Sequence, residues 1–448
     1  VNARYRLESC DTMDECKLVG EQGPIGLSAG AIGYVKTLEG IGAGLGFSLS
    51  LSDDATTLAA GAPGDSSAVF DENGNVVSSC YENGEPLEFD EFGNLLTEEG
   101  MPTIDEGAPE DGDDDTPILD DEGNPIVVTT EACETEISSG TVPVFNLGTT
   151  AEEFILDSFL KAGNFEAGDQ FGWSVALDTG GNILVASSVF EDGAPGGLFK
   201  NNDLEDSGAV YVFRREAGIW PAPGSIEGVR YLKASNADKA DFFGQKVAIS
   251  GDGTTIAVAA VAERSNAKGI DGDQTNNDLT NAGAVYVFRK SGEEWAQEAY
   301  IKASNTGAED NFGLALELDE TGDLLVVGAP GESSGDATDQ SDNGDNGSGA
   351  VYVFSRSGTI WMQQAYLKAS NPDGPRHNGD DLGDSFGTDL SLNADGSLLL
   401  IGAPREDSSS TGLDGNESDN SSRNSGAAYL FARTGNLWAQ QTFFRSEE

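Results

Sequence analysis

Basic charge, histidine, cysteine and long apolar runs are all scarce in this chain of 448 residues. Its 24 Lys and Arg face 78 Asp and Glu, a net charge of −54. A surface that negative repels nucleic acid and anionic lipid and attracts cations, and hard cations such as calcium choose carboxylate oxygens. One histidine, His377, leaves almost no room for Ser/His or Cys/His triads or for zinc sites with several histidines. No apolar run reaches about eighteen residues, so no membrane-spanning helix is expected. The four cysteines, Cys10, Cys16, Cys80 and Cys133, all lie in the first third. An even count beside strong acidity fits an oxidising compartment. Three pairings exist, of which Cys10–Cys16 with Cys80–Cys133 is favoured. The chain opens at Val1 without a basic-then-apolar leader, as a mature secreted chain or a trimmed one would. P-loop, Gly-x-Ser-x-Gly and dinucleotide fingerprints are absent from strand–helix junctions, and Arg-Gly-Asp is absent altogether. No enzyme is expected.

What is present is glycine, 59 residues against 15 proline, and a long repeat. Phe-Gly recurs at Phe171, Phe243, Phe312 and Phe386, with Leu45-Gly46 as a degenerate first copy. A Gly-Ala-Pro register follows 16 residues later in all five copies, at Gly61, Ser187, Ala259, Gly328 and Gly402. Then come Ser-Gly-Ala-Val-Tyr-Val-Phe, ending at Phe145, Phe213, Phe288, Phe354 and Phe431, and a Lys-Ala-Ser register at Lys161, Lys233, Lys302, Lys368 and Arg445. Trp220, Trp295, Trp361 and Trp438 stand 7 residues after the last four of those phenylalanines. Spacing that stays constant marks fixed hairpins. Spacing that varies, chiefly between Gly-Ala-Pro and Ser-Gly-Ala-Val, marks surface loops.

Each copy reads as four antiparallel strands. The first begins near Phe-Gly. Turns such as Ser250–Gly253, Asp319–Gly322 and Asn393–Gly396 lead into a second, continuously apolar strand (Leu324–Val327, Leu398–Ile401) expected to be buried on both faces. The fourth alternates and suits an outer position. Such repetition predicts an all-β fold, a β-propeller of four-stranded antiparallel blades. The blades fall at about 45–163, 164–236, 237–305, 306–371 and 372–448. Residues 1–44, where Tyr34–Thr37 matches the outer strand, form a partial N-terminal blade or donor strands.

These motifs resemble the FG-GAP repeat family, whose members include the integrin α-chain head, and most closely bacterial extracellular proteins of that family. The resemblance covers about residues 34–448 apart from one insert. It implies a six- or seven-bladed ring if closed, calcium in some blades, and a ligand face made of loops.

The insert, residues 64–139, holds 23 acidic residues and no Lys or Arg. Its Asp71–Asn75, Asp90–Asn94 and Asp120–Asn124 segments read as acidic hairpin turns. The later loops carry the candidate calcium ligands: Asp271, Asp273 and Asp278; Asp336, Asp339 and Asp342; Asp414, Asn416 and Asp419. Alternating Asp, Asn and Gly turns carboxylates and carbonyls inward around a cation, although the hairpins between first and second strands are too short for the integrin calcium motif. Asp169, Asp241, Asp310 and Asp384, each two residues before Phe-Gly, are expected to cap turns. The four repeat tryptophans are expected to pack blades, and Lys233, Lys302 and Lys368 to lie on a solvated outer face. The functional expectation is a secreted or cell-surface, calcium-binding module for adhesion, with a protein or glycan ligand on the loop face. The alternatives are a structural subunit of an extracellular filament joined through the N-terminal strands, and a propeller hydrolase acting on glycans.

Overall fold

A computed structural model describes residues 47–53, 55–64, 139–147, 154–166, 168–194, 202–336, 339–374, 383–410, 412–416 and 419–445, with short strands inside 5–22 and 69–96. Five consecutive antiparallel sheets of four strands form the blades, and no helix occurs among the described residues. Blade one consists of Ser48–Leu51, Thr57–Gly61, Val142–Leu147 and Phe154–Leu160. Blade two consists of Val175–Leu177, Ile183–Ser188, Ala209–Arg214 and Val229–Leu232. Blade three runs Phe243–Ile249, Thr255–Ala260, Ala284–Ser291 and Glu294–Ile301. Blade four runs Ala315–Leu318, Leu324–Ala329, Ala350–Ser357 and Ile360–Leu367. Blade five runs Asp389–Leu392, Leu398–Ala403, Ala427–Thr434 and Leu437–Arg445, with Gly412–Leu413 added along its outer edge.

Each tight turn between first and second strands closes on one side chain. Asp319 Oδ1 accepts from the amides of Asp323 (3.0 Å) and Leu324 (3.0 Å). Asp178 and Asn393 do the same in blades two and five, and the Ser250 hydroxyl does so in blade three. A short polar acceptor at that position replaces the strand pairing that the turn interrupts.

The cores lie between blades. Strand-two residues of blades two, three and four are buried on both faces, as the apolar runs predict. Blade five departs from this. Its second strand alternates, with Leu398 43% and Leu400 40% exposed, because no further blade covers that face among the described residues.

The strand pairs Val69–Phe70 with Val76–Val77 and Glu88–Phe89 with Leu95–Leu96 flank the first two acidic turns of the insert. The third turn lies outside the described residues. Tyr5–Thr12 pairs with Glu15–Gln22, placing Cys10 opposite Cys16. The side chains of Cys10 and Cys16, and the whole of Cys80 and Cys133, lie outside the described residues, and with them the favoured pairing.

Candidate functional site

The residues that recur in every copy meet at the blade junctions. In each described case the Phe of Phe-Gly is fully buried and meets the Tyr of its own Tyr-Val-Phe edge-on, as with Phe312 and Tyr352 at 5.4 Å. Its backbone amide crosses to the preceding blade. Phe171 donates to the carbonyl of Ser139 (3.0 Å), Phe243 to Ser207 (3.0 Å), Phe312 to Ala282 (3.3 Å) and Phe386 to Ser348 (3.1 Å). The glycine after each acceptor has no alternative: a Cβ on Gly283 would stand 2.2 Å from the Phe312 carbonyl oxygen, and its φ is +78°.

A polar network meets the same junction, built on a buried ion pair within each blade and reached by an asparagine of the preceding blade. Four residues after the Gly-Ala-Pro register stands an acid, Glu191, Glu263, Glu332 or Glu406, each nearly inaccessible to water. Lys302 Nζ lies 2.6 Å from Glu263, and Lys233 and Lys368 lie 3.0 Å from Glu191 and Glu332. Arg445 pairs with Glu406 in blade five. These lysines are therefore not a solvated outer face. The side chains turn inward because a buried carboxylate waits for each. Burial lowers the Lys302 ammonium pKa against the pull of Glu263.

The Asn of the preceding Lys-Ala-Ser-Asn completes the network. Asn236 Nδ2 donates to Glu263 (3.1 Å), while its Oδ1 accepts from the Tyr286 hydroxyl (2.7 Å). Asn164, Asn305 and Asn371 repeat this arrangement. The constant phase of that acid and that asparagine, visible in the sequence, is the signal that could have revealed the pairs.

The aspartates before Phe-Gly cap turns as expected. Asp169 accepts from the Glu166 amide (2.8 Å), Asp241 from Asp238 (3.0 Å), Asp310 from Gly307 (2.7 Å) and Asp384 from Asp373 (3.0 Å). Burial pushes Asp169 up to about 8, Asp241 to about 7 and Asp310 to about 6. The tryptophans pack the junctions: Trp220 and Trp361 are buried, and Trp295 and Trp438 lie half-buried against the cores.

The repeat is thus consumed by the frame, and what varies lies at one end of it. In an up-and-down blade the second-to-third and fourth-to-first connections leave at the same end. There the loops interlock. The Ser235 hydroxyl donates to Gln274 (2.7 Å), Asn277 to Asp238 (2.5 Å) and Ser304 to Gln340 (2.6 Å). The opposite end carries tight turns in blades three to five, whereas blade two has a longer connection there, residues 215–228.

The candidate calcium ligands sit in these loops, most of them engaged locally. Asp271 and Asp414 tie their loops to the outer strand. Asp271 donates its amide to Tyr300 O (2.8 Å) and accepts the Tyr300 amide on Oδ1 (3.0 Å), and Asp414 does the same with Phe443 (3.0 and 3.1 Å). Asp273 accepts from the Thr275 amide (2.9 Å), Asp339 from Ser341 (2.9 Å), Asp342 from Gly344 (3.0 Å) and Asp419 from Ser421 (3.1 Å). Asp278 accepts from Asn266 (2.8 Å). The Asp336 amide bonds Ser334 (3.1 Å), and Asn416 O accepts from the Asp419 amide (3.2 Å). Among the described residues these acids do not gather into a group of three able to hold a metal ion. They do not form a preformed cage.

Fold and junctions together define a β-propeller built from tandem blades. The family model described as FG-GAP repeat matches residues 157–213, 229–288 and 295–354, so these three segments are FG-GAP repeats. Each matched segment starts within the outer strand of one blade and ends on the Tyr-Val-Phe of the next, so the sequence repeat straddles the junction described above.

No curated protein matches the chain. Among solved structures it is similar to a putative 6-phosphogluconolactonase from Bacteroides uniformis (11% identity, TM-score 0.41, 90% of this chain and 86% of that one). It is also similar to the periplasmic gluconolactonase PpgL of Pseudomonas aeruginosa (12%, 0.40, 99% and 97%) and to the Dos1 propeller (14%, 0.30, 80% and 65%). Likeness at that level carries no argument about activity. No helix among the described residues is long and apolar enough to cross a membrane.

Proposed function

We propose that the chain is a non-catalytic interaction module of the cell surface or secreted space, binding a protein or glycan partner through its loop face. The observation that carries this reading is the division of labour. The recurring Phe, Gly, Glu, Tyr, Lys and Asn are used in holding blade to blade, which leaves the interlocked loops free to differ. Asp169, Asp241 and Asp310, each raised by burial, recur at one register in successive blades, as frame residues do, while Glu317, pushed up to about 7 by burial, has no acid at its register in the other blades. The net charge favours a neutral or basic partner over an anionic one.

Calcium belongs to this reading as weak binding, loop by loop, through single carboxylates, backbone carbonyls and water. Millimolar affinity is the order expected for extracellular modules, roughly 10⁻⁴ to 10⁻³ M. In a thermal melt, millimolar calcium should then raise the midpoint more than magnesium does, and equal shifts would reduce the effect to charge screening.

The test of the interaction role is an array of glycans and matrix proteins probed with calcium present. A partner should appear whose binding is lost when the 264–281 loop is replaced by a short Gly-Ser turn. Binding that survives replacement of each long loop in turn would defeat the proposal.

A further inference from the structure

The first strands of successive blades face one another around the propeller axis. Ser48 and Ser50 of blade one accept the amides of Val175 (3.0 Å) and Leu177 (2.9 Å) in blade two, and Ser174 of blade two accepts that of Val247 (3.1 Å) in blade three. Counted from the first residue of the Phe-Gly register, these acceptors stand 3 and 5 residues on and these amides 4 and 6. In blades three and four the acceptor places hold Lys246 and Ala248, then Ala315 and Glu317. The inward amides of Leu316, Leu318 and Leu390 therefore face no serine, and Lys246 stands opposite that of Leu316.

Lys246 and Glu317 are opposite charges on neighbouring inner strands, both half-buried, and they do not recur in the repeat. Among the described residues the Lys246 ammonium and the Glu317 carboxyl make no hydrogen bond or ion pair, unlike Glu263 and Glu332, whose lysines lie within 3.0 Å. Burial pushes the Glu317 carboxyl up to about 7. Lys246 of blade three faces it and draws it down, and Asp389 of blade five faces it and raises it. Beyond Glu317 the turns between first and second strands tie that end together. The Thr179 amide bonds Gly251 O (3.1 Å), Asp252 bonds Glu320 O (2.9 Å) and Glu320 bonds Ala394 O (2.9 Å), while the Thr179 hydroxyl reaches past blade three to the Glu320 carboxylate (2.8 Å). The unpaired charges are therefore approached from the loop end, and Glu317 stands about 10 Å above the turns at the usual strand rise.

We propose that Glu317 and Lys246 are the two ends of a binding site on the inner strands for a small zwitterion, an ammonium and a carboxylate close together as in a free α-amino acid. The ligand's ammonium takes the Glu317 carboxylate, with Asp389 adding to its negative field. The ligand's carboxylate takes Lys246 and the Leu316 amide, the donors that the missing serine leaves on that side. A simple anion would be repelled by Glu317 and a simple cation by Lys246. Only a ligand of both signs satisfies both groups. The site lies on the frame, apart from the long loops, so it does not depend on what those loops bind.

Titration calorimetry of the full chain with each common amino acid tests this, with acetate and methylamine as probes of a single charge. At least one amino acid should bind, and about tenfold more tightly at pH 8 than at pH 6, because Glu317 must be ionised to hold the ammonium. Glu317→Gln should weaken binding by about tenfold or more and abolish that pH dependence, and Lys246→Met should weaken it comparably. Without ligand at pH 8, Glu317→Gln should melt no lower than wild type, since it removes an unpaired charge, so its lost affinity is not lost fold. Absence of binding by every amino acid at both pH values overturns the proposal. So does binding that survives either substitution, or acetate or methylamine binding as tightly as the best amino acid.

Discussion

Lys302 and Glu263, both of blade three, form the pair on which the energetics of the buried network can be read most cleanly, with side chains 0% and 1% exposed. Replacing Lys302 by Met leaves Glu263 buried without its partner, and the loss should be about 3–5 kcal/mol. Glu263→Gln in the same chain should restore most of it, since Gln keeps an acceptor for Asn236 and Tyr300 and removes the unpaired charge. Denaturation midpoints of the two variants check this, and equal losses in both would be inconsistent with the pairing.

Asp169 behaves in the opposite sense. Its folded pKa of about 8 lies above the ordinary 3.8, so the protonated acid is the form the fold favours. Its contribution is fully present below about pH 4 and is lost as pH rises towards 8. Asp169→Asn keeps an acceptor for the Glu166 amide and cannot ionise. Its stability relative to wild type should therefore climb through that window by on the order of a few kcal/mol. A difference flat from pH 4 to 8 would mean that the acid is not protonated in the fold.

At the scale of elements, the junction glycines separate two costs. Gly283→Ala meets both a positive φ and the Phe312 carbonyl at 2.2 Å, whereas Gly426→Ala meets the positive φ alone. The second should cost about 1–2 kcal/mol, the usual strain of left-handed backbone. The first should cost clearly more and loosen blade three from blade four, as limited proteolysis and melting midpoints would register. Similar costs at both sites would mean that the junction yields.

The blades themselves were legible in the sequence because spacing between fixed hairpins is rigid. Phe-Gly, the capping Asp and the tryptophans took the places their register predicted. The lysines did not, because a fourth-strand Lys between alternating residues looks like a wet face. Its partner, such as Glu332 for Lys368, lies 36 residues away in sequence, where only the tertiary fold brings it near. The continuous apolar run Leu398–Ile401 misled for a related reason: burial of its second face depends on a neighbouring blade, and sequence within one strand does not say whether a neighbour follows. The calcium expectation rested on the alternating Asp, Asn and Gly of the loops and on the family resemblance, neither of which says where each carboxyl points. Asp273 and Asp339 are in fact committed to their own turns, which hold these carboxyls below the usual range.

Over the whole molecule, the frame is a chain of equivalent junctions and the loops are its variable surface. The Phe-Gly amides are the groups whose bonds exist only if one blade is docked on another. Hydrogen exchange at Phe171, Phe243, Phe312 and Phe386 therefore tests the account most directly. These four amides should exchange together, among the slowest in the protein. Exchange at the rate of exposed loop amides such as Thr275 would show the blades to be independent sheets. It would contradict the reading of the repeat as a device for joining them.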